Sequence, residues 1–415
     1  MQELNIALVA IGGLVLVLGI ISRPLRGSFL TRPLLALGLG VLLGPVGLDW
    51  LDPHHWGKQE TILEQVARLT LAIGLMGVAL RLPPLYPLKQ WRPLVILLLP
   101  GMLLMCFSTA LLAAGILGLP LLSALLLGAV ASPTDPIVAS SVVTGSVAQR
   151  NLPEYLRHML SVESGTNDGL AYPLVLLPIL LLAHPTAEAW TEWGLRVLLW
   201  EVGAAVGVGI AIGWAAGRLL DWAEAKKSIE EHSFLAFTVA LSLLTLGAAK
   251  LQGTDGILAV FAAGSAFDGI VGGKERSEEE NIQEAVNQFF TLPIFALFGL
   301  ALPWDKWQEL GWSGIGFVAA VLLLRRLPAL LLLRPLLHPM DKTRDILFAG
   351  WFGPIGVAAL FYAMLAMRRT GEEIYWTVGS LLIFSSLIVH GVTATVFTRL
   401  YGSAAPDKPD SKEDT

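Results

Sequence analysis

Runs such as Val95–Leu99, Leu121–Val130 and Leu174–Leu182 contain no charged side chain, and runs like them recur along the whole chain. A soluble fold built from them would have no charged shell to present to water, so the bilayer is the solvent this sequence suits. Composition agrees: 54% of the residues are hydrophobic and only 15% are charged, a balance far from that of water-soluble domains. In hydrocarbon the backbone N–H and C=O groups must be satisfied within the protein, and helices do this within each segment.

At about 20 residues per crossing, thirteen apolar stretches can be read, at approximately 4–22, 30–48, 62–80, 92–116, 119–144, 156–183, 195–222, 232–250, 254–272, 283–303, 311–336, 344–367 and 374–400. The expected fold is therefore an all-α membrane protein with about thirteen transmembrane helices over residues 1–401. A disordered polar cytoplasmic tail, 402–415, follows. The second stretch is short and Gly-rich, and the fifth, sixth and twelfth contain Pro or Gly, so these four are the expected places for broken helices. The first stretch lacks a basic leader and a small-residue cleavage site and reads as a retained helix. Lys274–Glu284 reads as a solvated cytoplasmic loop.

The loops alternate in charge. One set carries Arg23, Arg26, Arg32, Arg81, Lys89, Arg92, Arg150, Arg157, Arg218, Lys226, Lys227, Lys274, Arg276, Arg334, Lys342, Arg344 and Arg399. The other has only Lys58, Arg196, Lys250, Lys306, Arg368 and Arg369. The basic set is expected on the cytoplasmic side, with the C-terminus inside and the N-terminus outside. Net charge is −5 with no Lys/Arg-rich block, which gives no reason to expect a nucleic-acid partner. Cys106 is the only cysteine, so intrachain disulfides and Cys-based metal sites are excluded. No Gly-rich phosphate loop, metal-ligand spacing or nucleophile elbow occurs, and no cofactor is expected.

A carboxylate at bilayer depth costs several kcal/mol unless it is paired, neutralised or hydrated, so each one marks a functional position. The densest cluster is Ser161 to Gly169, with Glu163, Ser164, Thr166, Asn167 and Asp168. On a helix Glu163 and Asn167 share a face while Asp168 is turned a further 100° or so. The two carboxylates can then do different work, one fixed and the other titrating in a hydrated cavity. The plainer reading puts the cluster in a loop at the membrane surface. A second cluster, Ala131 to Pro136, has two prolines that remove backbone donors and predict an extended break inside the membrane. Asp135 is placed to cap the half-helix that follows. A third interruption, Gly350 to Gly356, lies about seven helices later, and such pairs point to an inverted repeat with a site where the breaks cross. Of the two arginines in the eleventh stretch, Arg325 is expected to turn inward and pair with Glu163. Arg326 either does the same or snorkels to the cytoplasmic interface beside Arg334. Glu64 and Arg68 are spaced to pair with each other. Glu201, Asp268 and His390 read as cavity-facing or capping groups.

With these residues placed, the chain resembles the monovalent cation/proton antiporter superfamily, specifically its electroneutral sodium/proton exchangers of the NhaP and NHE type. The resemblance rests on the Thr134–Asp135–Pro136 break, the Glu163–Ser164–Gly165–Thr166–Asn167–Asp168 segment one helix later, and Arg325. It implies two broken crossing helices, a moving core domain beside a dimerisation domain, and a homodimer in the cell membrane. Asp168 would bind the cation and the proton in turn, with Ser164 and Thr134 lending oxygens. Asn167 would stabilise the break, and Glu163 would pair with Arg325. Two departures bear on cation selectivity. Many relatives have an acid late in the third helix, where this chain reads Gly77–Val78–Ala79–Leu80. Ile355 follows Gly353–Pro354 where some relatives have Arg or Lys.

Exchange would follow from exclusion: one buried carboxylate holds a proton or a hard cation, never both. A potassium/proton antiporter or channel-like pathway is the nearest rival. An intramembrane aspartyl enzyme is a more distant one, and it would need Asp135 and Asp168 close enough to share a proton.

Overall fold

The computed structural model describes residues 2–21, 30–83, 85–226, 234–271 and 289–403. Among them there is no strand, and the chain runs as α1 (Gln2–Ile20), α2 (Arg32–Leu43), α3 (Gln59–Arg81) and α4 (Trp91–Leu117). Next come α5 (Leu121–Val130), α6 (Pro136–Val143), α7 (Glu154–Ala183), α8 (Thr186–Ala223), α9 (Phe234–Leu251) and α10 (Gly256–Val271). The last are α11 (Phe289–Leu300), α12 (Trp304–Leu324), α13 (Leu327–Leu333), α14 (Thr343–Trp351), α15 (Val357–Thr370) and α16 (Ile374–Ser403). A helix or a pair of half-helices lies in each of the apolar stretches. Seven described helices are long and apolar enough to cross a bilayer by themselves. The last helix continues through Ser403, and residues 404–415 of the expected tail lie outside the described residues, as does the Lys274–Glu284 loop.

Two interruptions fall where the prolines and glycines put them. Ala131–Asp135 separates α5 from α6, and Phe352–Gly356 separates α14 from α15. The sixth stretch does not break. Helix α7 runs unbroken for 30 residues through Pro173 and Pro178, because neighbours packed along it hold its course where two backbone donors are missing. One such neighbour is Trp193, whose indole N–H donates to the carbonyl of Pro173 at 2.8 Å. Nor does α2 break; it is simply short, ending at Leu43 before an irregular turn. The eleventh stretch carries an unexpected interruption at Arg325–Arg326, between α12 and α13. In α4 the turn around Pro100 widens to a π-helix over Leu97–Gly101, a local answer to the missing donor.

The helices form two packed groups. In one, α4 packs on α5 and α12, α5 on α7, α13 on α14, and α16 on α12 and α15. In the other, α10 packs on α3, α8 and α9. Gly209 and Gly213 of α8 lie directly against the backbone carbonyls of Ala259 and Ala263 of α10. This is the small-residue spacing that lets membrane helices approach closely. The seam between the groups runs where α3 meets α15 and where α7 meets α8 and α10. At the seam a side chain on Gly165 would meet Phe261 and Val78, and one on Gly169 would meet Leu258. Both interruptions and Asp168 are in the first group.

Candidate ion-exchange site at the helix crossing

The two interruptions cross and are fastened to each other. Asp135 N–H donates to the carbonyl of Pro354 at 2.8 Å. The Asp135 side chain caps α6, with Oδ1 accepting from Ile137 N at 2.7 Å and Val138 N at 2.9 Å. Its Oδ2 accepts from Val357 N, the first residue of α15. One carboxylate thus lies on two half-helix N-termini, where unpaired N–H groups and the helix dipoles favour negative charge. Gly356 makes room for this, since a methyl group there would run into the Asp135 carboxyl.

Arg325 serves the opposite ends. Its guanidinium donates to the carbonyls of Ala131, Gly353 and, at 3.4 Å, Pro133. These oxygens belong to the extended breaks, freed by the missing helix turns, and a fixed cation suits them. The expected Glu163–Arg325 pair therefore does not form. Glu163 instead takes both guanidinium nitrogens of Arg326, at 2.5 and 2.7 Å. Arg326 is held further by the Ala349 carbonyl at 2.7 Å. It is buried and does not snorkel. Neighbouring residues at a helix interruption point in different directions, so one arginine reaches the breaks and the other reaches α7.

Asn167 ties α7 to the first break. Its Oδ1 accepts from Thr134 N at 3.1 Å and its Nδ2 donates to Thr134 Oγ1 at 2.8 Å. Ser164 lies one turn before Asp168 and donates to the carbonyl of Leu160 at 2.8 Å, which leaves its oxygen free to accept. Asp168 itself is 0% exposed, and neither carboxylate oxygen has a hydrogen-bond partner among the described residues. Its backbone carbonyl accepts from the Tyr362 phenol. Since Asp135 uses both oxygens elsewhere and none bonds Asp168, the two do not form the proton-sharing dyad an aspartyl enzyme requires.

The apolar run Gly77–Leu80 is buried, with Val78 against Gly165, so α3 brings no charge to that side of α7. Ile355 is likewise buried and its N–H donates to Ser386 Oγ at 2.7 Å.

A model of the family described as sodium/hydrogen exchanger, transmembrane, matches residues 12–400. The chain belongs to that family. It is 34% identical over 394 residues to a Na(+)/H(+) antiporter of Saccharomyces cerevisiae, and 33% identical over 404 residues to Na(+)/H(+) antiporter 2 of Zygosaccharomyces rouxii. The matches cover 86% and 89% of this chain but only 40% and 49% of those relatives, so the chain spans less than half their length. The structure of the sodium proton antiporter MjNhaP1 from Methanocaldococcus jannaschii at pH 8 matches it with a TM-score of 0.72. That match covers 97% of this chain and 100% of the other at 17% identity, and shows a shared fold. This member of the exchanger family is thus a multi-pass membrane protein of a transporter family, not an enzyme.

Of the groups packed around the exchanger-family crossing, His390 and Glu64 were expected to make polar contacts and Tyr362 escaped the sequence reading. His390 bonds the Trp351 carbonyl at 3.0 Å, closing the C-terminal end of α14, and its other ring nitrogen lies 3.0 Å from Ser386 Oγ. His390 thus ties the end of α14 to Ser386 of α16 through its two ring nitrogens. Glu64 ignores Arg68 and takes Arg368, 304 positions away, in two bonds of 2.8 and 2.9 Å. Tyr362 had no local signal, because its partner is a backbone carbonyl on another helix.

Proposed function

We propose that this chain exchanges a monovalent cation, sodium, for protons across a cell membrane by alternating access, with Asp168 as the shared binding group. The observation that carries the reading is the buried Asp168 carboxylate, with neither oxygen bonded among the described residues, beside two crossed helix breaks. A bare buried anion is costly, so the stable occupants are a proton or an oxygen-liking cation, and each excludes the other. Ser164 and Thr134 lend oxygens, and Asn167 holds the Thr134 break at a fixed distance from α7.

The remaining charges near the site are already spent. Asp135 neutralises two helix N-termini, Arg325 two breaks, and Glu163 and Arg326 each other. Among the described residues at the crossing, Asp168 is the carboxylate left to cycle, which supports one-for-one, electroneutral exchange. The group holding the crossing moves against the group built on α10, presenting Asp168 to each side in turn. The charge asymmetry of the loops supports a cytoplasmic C-terminus and an external N-terminus. A homodimer completes the reading.

The test is proton movement in proteoliposomes driven by sodium, potassium or lithium at several pH values, with Asp168→Asn beside wild type. Sodium-driven flux that vanishes in the variant, with the folded protein intact, is the expected result. Full flux in Asp168→Asn refutes the assignment, and potassium outcompeting sodium would make the protein a potassium/proton exchanger.

A further inference from the structure

A second set of buried polar groups lies where α7 meets α8 and α10. Tyr172 is four residues beyond Asp168 on α7, hence on the same face and about 6 Å further along the axis. Its phenol donates to Glu201 Oε2 at 2.7 Å. Glu201 is buried, and its other oxygen accepts from Arg196 Nε at 3.1 Å. The backbone carbonyl of Glu201 accepts from Asp255 N at 2.7 Å, which brings a second carboxylate to the same place.

Asp255 caps α10 through Oδ1, accepting from Ile257 N at 2.9 Å. Its Oδ2 has no hydrogen-bond partner among the described residues, although the residue is only 2% exposed. Lys250 and Glu201 are among the charged groups that act on this carboxylate, and Lys250 Nζ lies 5.7 Å from the centre of the Tyr172 ring. It acts in turn on the phenols of Tyr172 and of Tyr362, the residue bonded to the Asp168 carbonyl. Towards the surface, an open pocket on α8 is lined by Glu188, Glu192 and Arg196, and Arg196 also bonds Glu192 at 2.7 Å.

We infer that Glu201, Asp255 and Tyr172 form a second station for the transported monovalent cation, between Asp168 and the membrane face carrying the α7–α8 and α9–α10 loops. The inference rests on Asp168 being the exchange site. A cation passing from water to a buried carboxylate crosses an apolar barrier, and an intermediate pair of carboxylates lowers it while holding the ion weakly enough to release it. Glu188, Glu192, Glu201 and Asp255 face the bases Arg196, Lys250 and Arg369, with His184 lying 3.8 Å from both Glu188 and Glu192, while Arg368 is occupied by Glu64. Arg196 already bridges Glu192 and Glu201 and is largely solvated, so an arriving cation displaces it from Glu201 onto Glu192 at little cost. Asp255 Oδ2 and the freed Glu201 oxygen are hard ligands of the kind an alkali ion takes.

A purely mechanical role is the contrast, in which Tyr172–Glu201 simply fastens the two helix groups together. Exchange is measured in oriented vesicles with sodium supplied to one face or the other, for wild type, Asp255→Asn, Glu201→Gln and Asp168→Asn. The substitution Asp255→Asn keeps an oxygen for the α10 cap while removing the charge, so that variant is expected to fold even where Glu201→Gln does not. The station predicts a KM for sodium about fivefold higher in D255N from the α9–α10 face, without a matching fall in maximal rate or change from the opposite face. A fall in maximal rate from both faces at constant KM assigns the mechanical role and overturns the station, as does a wild-type KM from both faces. An inactive D168N beside a D255N indistinguishable from wild type confines the failure to the station. A fully active D168N places the failure in the exchange-site reading instead.

Discussion

Two adjacent arginines divide the electrostatic work of the crossing. Arg325 neutralises the carbonyl ends of both breaks, and Arg326 holds Glu163 in a two-bond clasp at bilayer depth. Removing one partner of such a pair leaves a buried charge alone, so Arg326→Ala should destabilise the protein by roughly 3–5 kcal/mol. Arg326→Lys should recover only part of this, because an ammonium cannot make the paired bonds. The thermal midpoint in detergent measures both, and a wild-type midpoint in Arg326→Ala counts against the clasp. That an arginine would pair with Glu163 was legible from the sequence, since a deep Arg needs a carboxylate. Which of two neighbours does so depends on side-chain directions at a helix end, and no residue pattern records them. Glu64 illustrates the same limit: its spacing offered Arg68, but the tertiary fold delivered Arg368.

At the scale of elements, the half-helices exist because Pro133, Pro136 and Pro354 remove donors in otherwise apolar runs. The breaks are held by the one carboxylate that caps α6 and α15 together. Losing a cap costs about 0.5–2 kcal/mol, so Asp135→Ala, which strips two, should fall in stability by up to about twice that. Asp135→Asn retains an acceptor for α6 and should lose less. Urea or thermal unfolding of the two variants should preserve that order, and equal losses would count against the double cap. The interruptions in the fifth and twelfth stretches were legible because prolines and glycines sit inside short apolar runs. Those same residue types misled in α7, where packing from several helices carries the chain past Pro173 and Pro178. The turn at Arg325 had one signal in the sequence, Pro328, which cannot donate to the Leu324 carbonyl; that oxygen accepts from Ser108 Oγ at 2.8 Å instead.

For the whole molecule, the membrane class followed from the uncharged runs, and the proposed position of the site rests on two carboxylates and two interruptions. The seam between the helix groups did not, because it is built from close approaches such as Gly169 to Leu258 that only the assembled fold defines. Stoichiometry belongs to this scale. Asn167 is neutral and bonded to Thr134 on both sides of its amide, so Asn167→Asp would place a second carboxylate beside Asp168. Exchange in that variant should become sensitive to membrane voltage, read as a changed sodium-driven proton flux when a potassium diffusion potential is imposed. Flux as indifferent to voltage as wild type would contradict the single-carboxylate account. The most direct measurement needs no membrane: sodium is titrated into the purified protein in weak buffer and the protons released are counted. Competition at one carboxylate predicts one proton released for each sodium bound by wild type and none by Asp168→Asn, whereas equal release from both would contradict it.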